Sequence, residues 1–368
     1  MNEKKIKLAL IGTNGIPAKY GGAETFYENL TRELSDKYDI TVYCSKNQPK
    51  SEVGNHYLGA KLKYYPLLAN GWQAIPYDAL SILHAARKSD VLYIFGASAV
   101  FVVSVLRFFG FKKKVFFNHG GLNEWEREKY SPVMKAYSKW NRKVTRTKVI
   151  HVVDNELYKK SLHDTFGIEE KTVHVIRYGG DQAVPVTPDE GLLQKYPFLT
   201  EEYYVSVSRA QVDNNLHVVL EAFAQMPDKK LVLVSNFKVS QYGIELYEKY
   251  KEGYPNIVLI PGIYDKRELN AVRSNAKAYI HSHSQCGTPP SLCEAMNLGL
   301  SIISFSAEVN HEVTGENAYF FTTPKDLVQI INEKSEEELE QMSQKSYKLA
   351  KEELTWKHIG EQYAELFG

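Results

Sequence analysis

The stretch 279–305, YIHSHSQCGTPPSLCEAMNLGLSIISF, restricts the possible folds more than any other part of the chain. It reads as strand, tight loop, helix, turn, strand. A short strand closes at Tyr279-Ile280-His281. The following Gln285-Cys286-Gly287-Thr288-Pro289-Pro290 cannot prolong it, because glycine and two prolines break regular pairing. Ser291 to Met296 then has the pattern of a first helical turn, with Pro290 near the start, where a missing N–H costs nothing. Asn297-Leu298-Gly299 supplies a stop, and residues 301–305 form the next buried strand. Such a loop aims free backbone N–H groups at one point, at the positive end of a helix, which suits phosphate or another anion. Glu294, one turn in, could accept a hydrogen bond from a ribose hydroxyl. The same spacing also describes an ordinary strand-to-helix turn with a surface glutamate.

The same alternation recurs along the chain. Residues 5–11 (KIKLALI) are a buried-strand run followed by the glycine-bearing turn 12–17, and residues 25–34 have helical apolar spacing. Strands are expected at 39–43, 62–65, 91–95, 114–117, 148–153 and 172–176. Helices are expected at 77–87 and 156–165, the latter capped by Asp154-Asn155. A polar Gly/Pro link at 178–189 separates this series from a second. There strands are expected at 203–207, 230–234 and 257–260, with helices at 216–225, 242–250 and 266–274. The segment 335–367 has helical spacing of Glu, Lys and Leu. Alternating strands and helices argue for parallel sheets covered on both faces. The expected fold is α/β: two doubly wound Rossmann-like domains facing across a cleft. Residues 1–180 form the first, acceptor-side domain, and 181–350 the second, nucleotide-binding domain. Residues 351–368 are a C-terminal helix packing back on the first. A length of 368 residues suits two cores better than one.

Ligands in doubly wound sheets bind at the C-terminal ends of the strands. The loops expected there are 12–24, 118–124, 208–215, Asn236, 262–264 and 286–294. Composition narrows the class of ligand. A net charge of +1 gives no general attraction to nucleic acid. Three cysteines, Cys44, Cys286 and Cys293, make neither a disulfide framework nor a CxxC pair. The uncharged run 91–106 is shorter than the roughly 18 to 20 residues needed to span a bilayer, and the first residues enter a strand without a signal-peptide pattern. Charge is uneven, however. Between 101 and 150 stand 12 Lys and Arg against 3 acidic residues, interleaved with Phe108, Phe109, Phe111, Tyr137 and Trp140. A basic, aromatic surface over 107–148 suits anionic lipid headgroups. It also describes a solvated helix face beside buried aromatics.

Five segments in order, GTNGIPAKYGGAE (12–24), HGGLNEWEREKY (119–130), YGGD (178–181), SRAQVDNN (208–215) and GTPPSLCEAM (287–296), resemble family 4 glycosyltransferases of the GT-B fold. Within that family they are most similar to bacterial rhamnosyltransferase-like enzymes of capsule and cell-surface polysaccharide assembly. The resemblance implies a nucleotide-diphosphate sugar donor, best matched by dTDP-β-L-rhamnose, and retention at the anomeric carbon. It also implies a lipid-linked saccharide acceptor and no metal or other cofactor. No D-x-D sequence is present to hold Mg²⁺ between phosphates. The implied setting is the cytoplasmic side of the cell membrane, with the protein held peripherally. The resemblance assigns Arg209, His119 and Glu294 to catalysis. Arg209 grips the diphosphate, His119 faces the donor sugar and Glu294 holds the ribose. Donor binding falls to Gly21, Gly22, Asn214, Asn236, Ile263, Tyr264, Thr288, Pro290, Ser291 and Leu292. Glu24, Glu124 and Arg127 fall on the acceptor side. Two departures from the family pattern stand out: Asn214 replaces a usual lysine and Cys286 a usual glutamate. A sugar-nucleotide epimerase of the same fold and a non-catalytic nucleotide-sugar-binding subunit are the alternative readings.

Overall fold

A computed structural model of the chain describes residues 5–19, 21–48, 50–121, 131–285 and 287–368. The chain divides into two compact units, Met1–Arg177 with Trp356–Gly368, and Tyr178–Thr355.

The first unit is built on an eight-stranded sheet. Its strands are β1 (Ile6–Ile11), β2 (Tyr38–Cys44), β3 (His56–Tyr57), β4 (Ala60–Tyr64), β5 (Val91–Phe95), β6 (Lys114–Asn118), β7 (Ile150–Val153) and β8 (Val173–Val175), in the order β3-β4-β2-β1-β5-β6-β7-β8. All pairings are parallel except β3 with β4. The strands read as apolar runs because both faces are covered. Helices α1 (Gly22–Leu34), α2 (Lys50–Val53), α3 (Ala74–Lys88), α4 (Phe101–Phe108), α5 (Pro132–Thr145) and α6 (Glu156–Phe166) supply the cover. Ala9, Ile11, Leu92, Ile94, Val115 and Phe117 pack on one face against Ile82, Ala85, Val102 and Val103 of α3 and α4. On the other, Phe26 and Tyr93 meet the C-terminal helix Trp356–Phe367 through ring contacts with Trp356, Tyr363 and Phe367. Tyr93, Tyr363 and Asn118 share a buried hydrogen-bonded chain, with 2.9 Å between the phenol oxygens and 2.8 Å from Asn118 Nδ2. Asn155 caps α6, its side chain accepting from the Tyr158 amide at 2.7 Å.

The second unit has strands β9 (Tyr204–Val207), β10 (Leu231–Ser235), β11 (Ile257–Pro261), β12 (Ala278–His281), β13 (Ser301–Phe305) and β14 (Tyr319–Phe321), all parallel, in the order β11-β10-β9-β12-β13-β14. Its helices are α7 (Glu190–Lys195), α8 (Leu216–Phe223), α9 (Gln241–Tyr250), α10 (Lys266–Ser274), α11 (Pro290–Asn297), α12 (Glu308–Thr314), α13 (Pro324–Glu333) and α14 (Glu336–Glu353). Residues of α8, α9 and α13 share one core with Tyr204, Leu231, Leu233, Ala278 and Ile280. The segment 335–367 forms two helices, the second starting at Trp356, five residues past the expected boundary at 351. It breaks at Leu354-Thr355, and the second half, α15 (Trp356–Phe367), belongs to the first unit.

The uncharged run 91–106 is resolved by glycine into strand, turn and helix. Gly96 takes φ +83° between β5 and the loop leading to α4. Gly12, at φ +103°, lets β1 end against β5, since a Cβ there would stand 2.0 Å from the Phe95 carbonyl oxygen.

One buried group gives a pH signature. Asp78 on α3 is enclosed, and burial pushes its carboxyl up to about 8, against an opposing hydrogen bond with Ser98. An unfolded aspartate titrates near 4. Between roughly pH 4 and pH 8 the folded chain therefore holds a proton that the unfolded chain has lost, and stability falls as pH rises through that window. Asp78→Asn is expected to remove a slope of up to about 1.4 kcal/mol per pH unit. Urea midpoints of both proteins at pH 5 and pH 8 check this. A gap between them that stays constant with pH would show that Asp78 ionises normally.

Candidate active site

In each unit the order of strands reverses at one place, and crevices form where it does. In the second unit that place lies between β9 and β12. The loop after β9, 208–215, leads to α8, and the loop after β12, 282–289, leads to α11. The two loops are stitched together by their own polar groups. Ser208 Oγ lies 2.8 Å from His283 Nε2. Ser282 Oγ donates to the Asn214 carbonyl at 2.5 Å, and Asn215 Nδ2 donates to the Ser282 carbonyl at 3.0 Å. Ser284 gives both its amide and its hydroxyl to the Asp213 carbonyl, at 3.0 and 2.9 Å.

Arg209 sits on this frame with an exposed side chain. Among the described residues no ion pair or hydrogen bond engages its guanidinium. Asn214 and Asn236, expected at the donor, each brace this loop. Buried Asn214 donates its side-chain amide to the Arg209 carbonyl at 2.8 Å. Asn236 Oδ1 accepts from the Ala210 amide at 3.0 Å. Each side chain spends one polar atom on shaping the loop that carries Arg209, because a tight turn leaves backbone groups that something must satisfy.

The start of α11 corrects a further expectation. Pro290 occupies the first helical position as the sequence suggests, but the Leu292 amide is not left open. It donates to the Pro289 carbonyl at 3.0 Å, and Cys293 donates to the same oxygen at 3.2 Å. Ser291 is half-buried with its hydroxyl near Tyr279, and Thr288 is buried.

Glu294 does not pair with Arg209. Its Oε2 forms an ion pair with Arg273 of α10, whose side chain is 3% exposed, and its Oε1 accepts from Gln182 at 2.6 Å. Arg273 also donates to Asn270 at 2.9 Å. Neither Gln182 nor Arg273 stands out in the sequence, since each lies far along the chain from Glu294. Tyr264 is exposed, and its ring lies over Gly262, where a Cβ would come within 3.2 Å of the hydroxyl. Ile263 beside it is half-buried.

In the first unit the reversal lies between β1 and β5. Gly21 and Gly22 are exposed at the start of α1, Gly21 with φ +97°. Glu24 is buried and turned into the loop, its Oε1 accepting from the Asn14 amide and side chain, both at 3.0 Å. Glu28, one turn on, accepts from the Ala18 amide at 2.6 Å. Two carboxylates in the opening turns of a helix thus hold the loop at Asn14 and Ala18, in the region where the helix dipole favours negative charge. Glu24, expected on the acceptor side, thus orders the loop.

His119 follows β6 and is fully enclosed. Its Nε2 lies 2.8 Å from His151 Nδ1, and its ring packs on Phe117 at 4.1 Å. Burial, His151 and Arg142 hold its pKa well below the usual histidine range, so it is neutral near pH 7. Glu124, Arg127 and Cys286 lie outside the described residues. Among the described residues no three His, Cys, Asp or Glu side chains converge as a metal site.

The basic segment is also partly reassigned. Arg107 donates to the carbonyls of Lys148 and Phe111, at 3.1 and 2.8 Å. Lys113 donates to those of Ala86 and Ser89, at 2.9 and 2.6 Å. Lys114 donates to that of Gly368 at 2.8 Å. These three charges are used to finish helix and chain ends. Phe108 and Phe109, by contrast, are 85% and 79% exposed.

Two parallel sheets, each with its loops gathered at a strand-order reversal, define a protein of the GT-B class. Solved structures agree. Over 99% of this chain and 98% of the other, sucrose-phosphate synthase from Thermosynechococcus elongatus superposes with a TM-score of 0.78 at 15% identity. Anabaena HepE, solved with UDP and glucose, gives 0.76 at 16% identity over 98% and 99%. WaaG, a glycosyltransferase of lipopolysaccharide biosynthesis, gives 0.71 at 11% identity over 98% and 99%. Two family models match the sequence itself. Residues 5–181 match a domain of unknown function, DUF1972, and residues 192–351 match Glycosyl transferases group 1. The second unit therefore carries a glycosyltransferase group 1 domain. No curated protein matches the sequence significantly.

Proposed function

We propose that the protein transfers a sugar from a nucleotide-diphosphate donor to a lipid-linked saccharide, with retention at the anomeric carbon. The observation that carries this reading is Arg209, an exposed cation on a loop braced from both sides, at the strand-order reversal of a glycosyltransferase group 1 domain. Its fork of donors matches diphosphate oxygens. Catalysis rests on holding the reactants and stabilising charge as the diphosphate departs, and a diphosphate oxygen takes the acceptor's proton. The charge is carried by Arg209, without a metal. Rhamnose from dTDP-β-L-rhamnose is the donor that the motif set favours, in capsule or cell-surface polysaccharide synthesis. HepE, a GT-B structure similar to this chain, was solved with UDP-glucose, which supports a nucleotide-sugar ligand in general.

The test is incubation of the full chain with dTDP-β-L-rhamnose or UDP-glucose, with and without a bacterial lipid extract. Acceptor-dependent nucleotide release and a glycolipid of the matching mass are expected. Nucleotide release indifferent to acceptor would favour an epimerase. Tight donor binding without turnover would favour a binding subunit.

The acceptor reading places the protein at the cytoplasmic face of the membrane. Among the described residues no helix is long and apolar enough to cross a bilayer. Attachment instead uses the exposed Phe108-Phe109 pair at the end of α4. Beside it lies a recess of about 460 Å³ lined by Arg107, Lys112, Lys113, Lys114 and Lys148. Exposed aromatics with adjacent cations suit an anionic interface. Changing Phe108, Phe109 and Lys112 to Ser is expected to weaken binding to phosphatidylglycerol vesicles at least roughly tenfold, read by co-sedimentation. Unchanged sedimentation would remove this surface from the account.

A further inference from the structure

The carbonyl of Arg146, just past the end of α5, starts a chain of hydrogen bonds that ends on His119. A carbonyl can only accept. The 2.8 Å contact between Arg146 O and His151 Nε2 therefore puts the proton of His151 on Nε2. A second proton on either ring would set a cation in an enclosed space beside the buried Arg142, whose Nη2 already donates to the His119 carbonyl at 3.1 Å. The Nδ1 of His151 is thus a lone pair. Its partner at 2.8 Å, His119 Nε2, must carry a proton and donate. The remaining nitrogen of His119, Nδ1, is consequently a lone pair too. It is fully enclosed and has no hydrogen-bond partner among the described residues. A buried acceptor without a donor is costly, which points to a group that arrives from outside the chain.

We propose that His151 is a positioning residue: it locks His119 in the Nε2–H tautomer, so that His119 Nδ1 accepts a hydrogen bond from a hydroxyl of the sugar substrate. The inference rests on the glycosyltransferase reading. It adds a rule of selection. This nitrogen pairs with an O–H group and rejects a carbonyl, a carboxylate or a phosphate oxygen, none of which has a proton to give.

The test is long-range ¹H–¹⁵N correlation on the full chain with ¹⁵N-labelled histidine, His119 being assigned by His119→Gln. The expected result is an unprotonated Nδ1 and a protonated Nε2 on His119. His151→Phe should mix the tautomers. His151→Asn, which keeps an acceptor near the same place, should largely restore the native form. Adding dTDP-β-L-rhamnose or UDP-glucose should move the Nδ1 resonance, whereas dTDP or UDP alone should not. His151→Phe should weaken nucleotide-sugar binding about tenfold and leave nucleotide affinity unchanged, as for one lost neutral hydrogen bond. A proton on Nδ1 of the native protein would overturn the proposal. So would equal losses for sugar-nucleotide and nucleotide, which would mark His151 as structural. Binding of nucleotide-sugar with no response at Nδ1 would overturn this proposal alone. Failure to bind any of the four compounds would overturn the functional reading with it.

Discussion

Arg209→Ala should lower sugar transfer by roughly two to three orders of magnitude, the usual loss when a donor to developing charge is removed. It should leave the melting temperature within about a degree, because surface changes away from packed features stay within about 0.5 kcal/mol. Both halves follow from position. The guanidinium is exposed and unengaged among the described residues, so the fold loses little with it. The loop beneath it is held by Asn214, Asn236 and the contacts of 282–284 with 213–215, so it should keep its shape after truncation. Arg209→Lys should recover only part of the rate, since an ammonium is a point charge and cannot match two phosphate oxygens at once. Transfer assays and thermal melts on the three proteins decide the matter. Intact turnover with a lowered melting temperature would assign Arg209 to the fold.

The second large effect concerns Glu294, where stability and binding are entangled. Its carboxylate faces Arg273, a cation shielded from water on almost every side. Removing one partner of such a pair strands the other, at a cost of about 3 kcal/mol or more. Glu294→Ala should therefore lower the melting temperature by about 10 °C, given two to four degrees per kcal/mol in a unit of this size, and also weaken nucleotide binding. A loss of binding in that variant alone would prove nothing about the ribose. The double change Arg273→Met with Glu294→Leu separates the two effects. Apolar replacement of both partners is often neutral or stabilising, so most of the stability should return. Nucleotide affinity should not. If calorimetry finds nucleotide affinity restored together with stability, Glu294 has only a structural task.

The fold class was legible from local pattern. Buried-strand runs such as 5–11 and 301–305 pair with helical stretches of the right length, and the residues at helix starts, Asn155 and Pro290, sit where their chemistry suggests. The exposed surface helices were less legible. The helix Phe101–Phe108 hides in an uncharged run that hydropathy alone cannot divide, and α5 lies in a basic segment whose charges draw attention away from the helical spacing of Val133, Tyr137, Trp140 and Val144. The strand-end loops were legible as loops, but the partners of their side chains were not. Asn214 and Asn236 read equally well as ligand contacts and as loop braces, because an amide's donors and acceptors serve either use. Glu294 drew attention by its place in α11, yet Arg273 and Gln182 did not, since the pairing depends on where α10 and the 178–185 segment pack.

By itself, the sequence determined what depends on near neighbours: hydrophobic period, helix ends, turns that need glycine or proline, and hence two parallel-sheet units. Tertiary structure alone decided which polar groups remain available. Hydrogen bonds and ion pairs form between side chains far apart in the chain, as with Glu294 and Arg273 or His119 and His151. Burial, not residue type, then sets whether such a group is spent on the fold or left for a ligand.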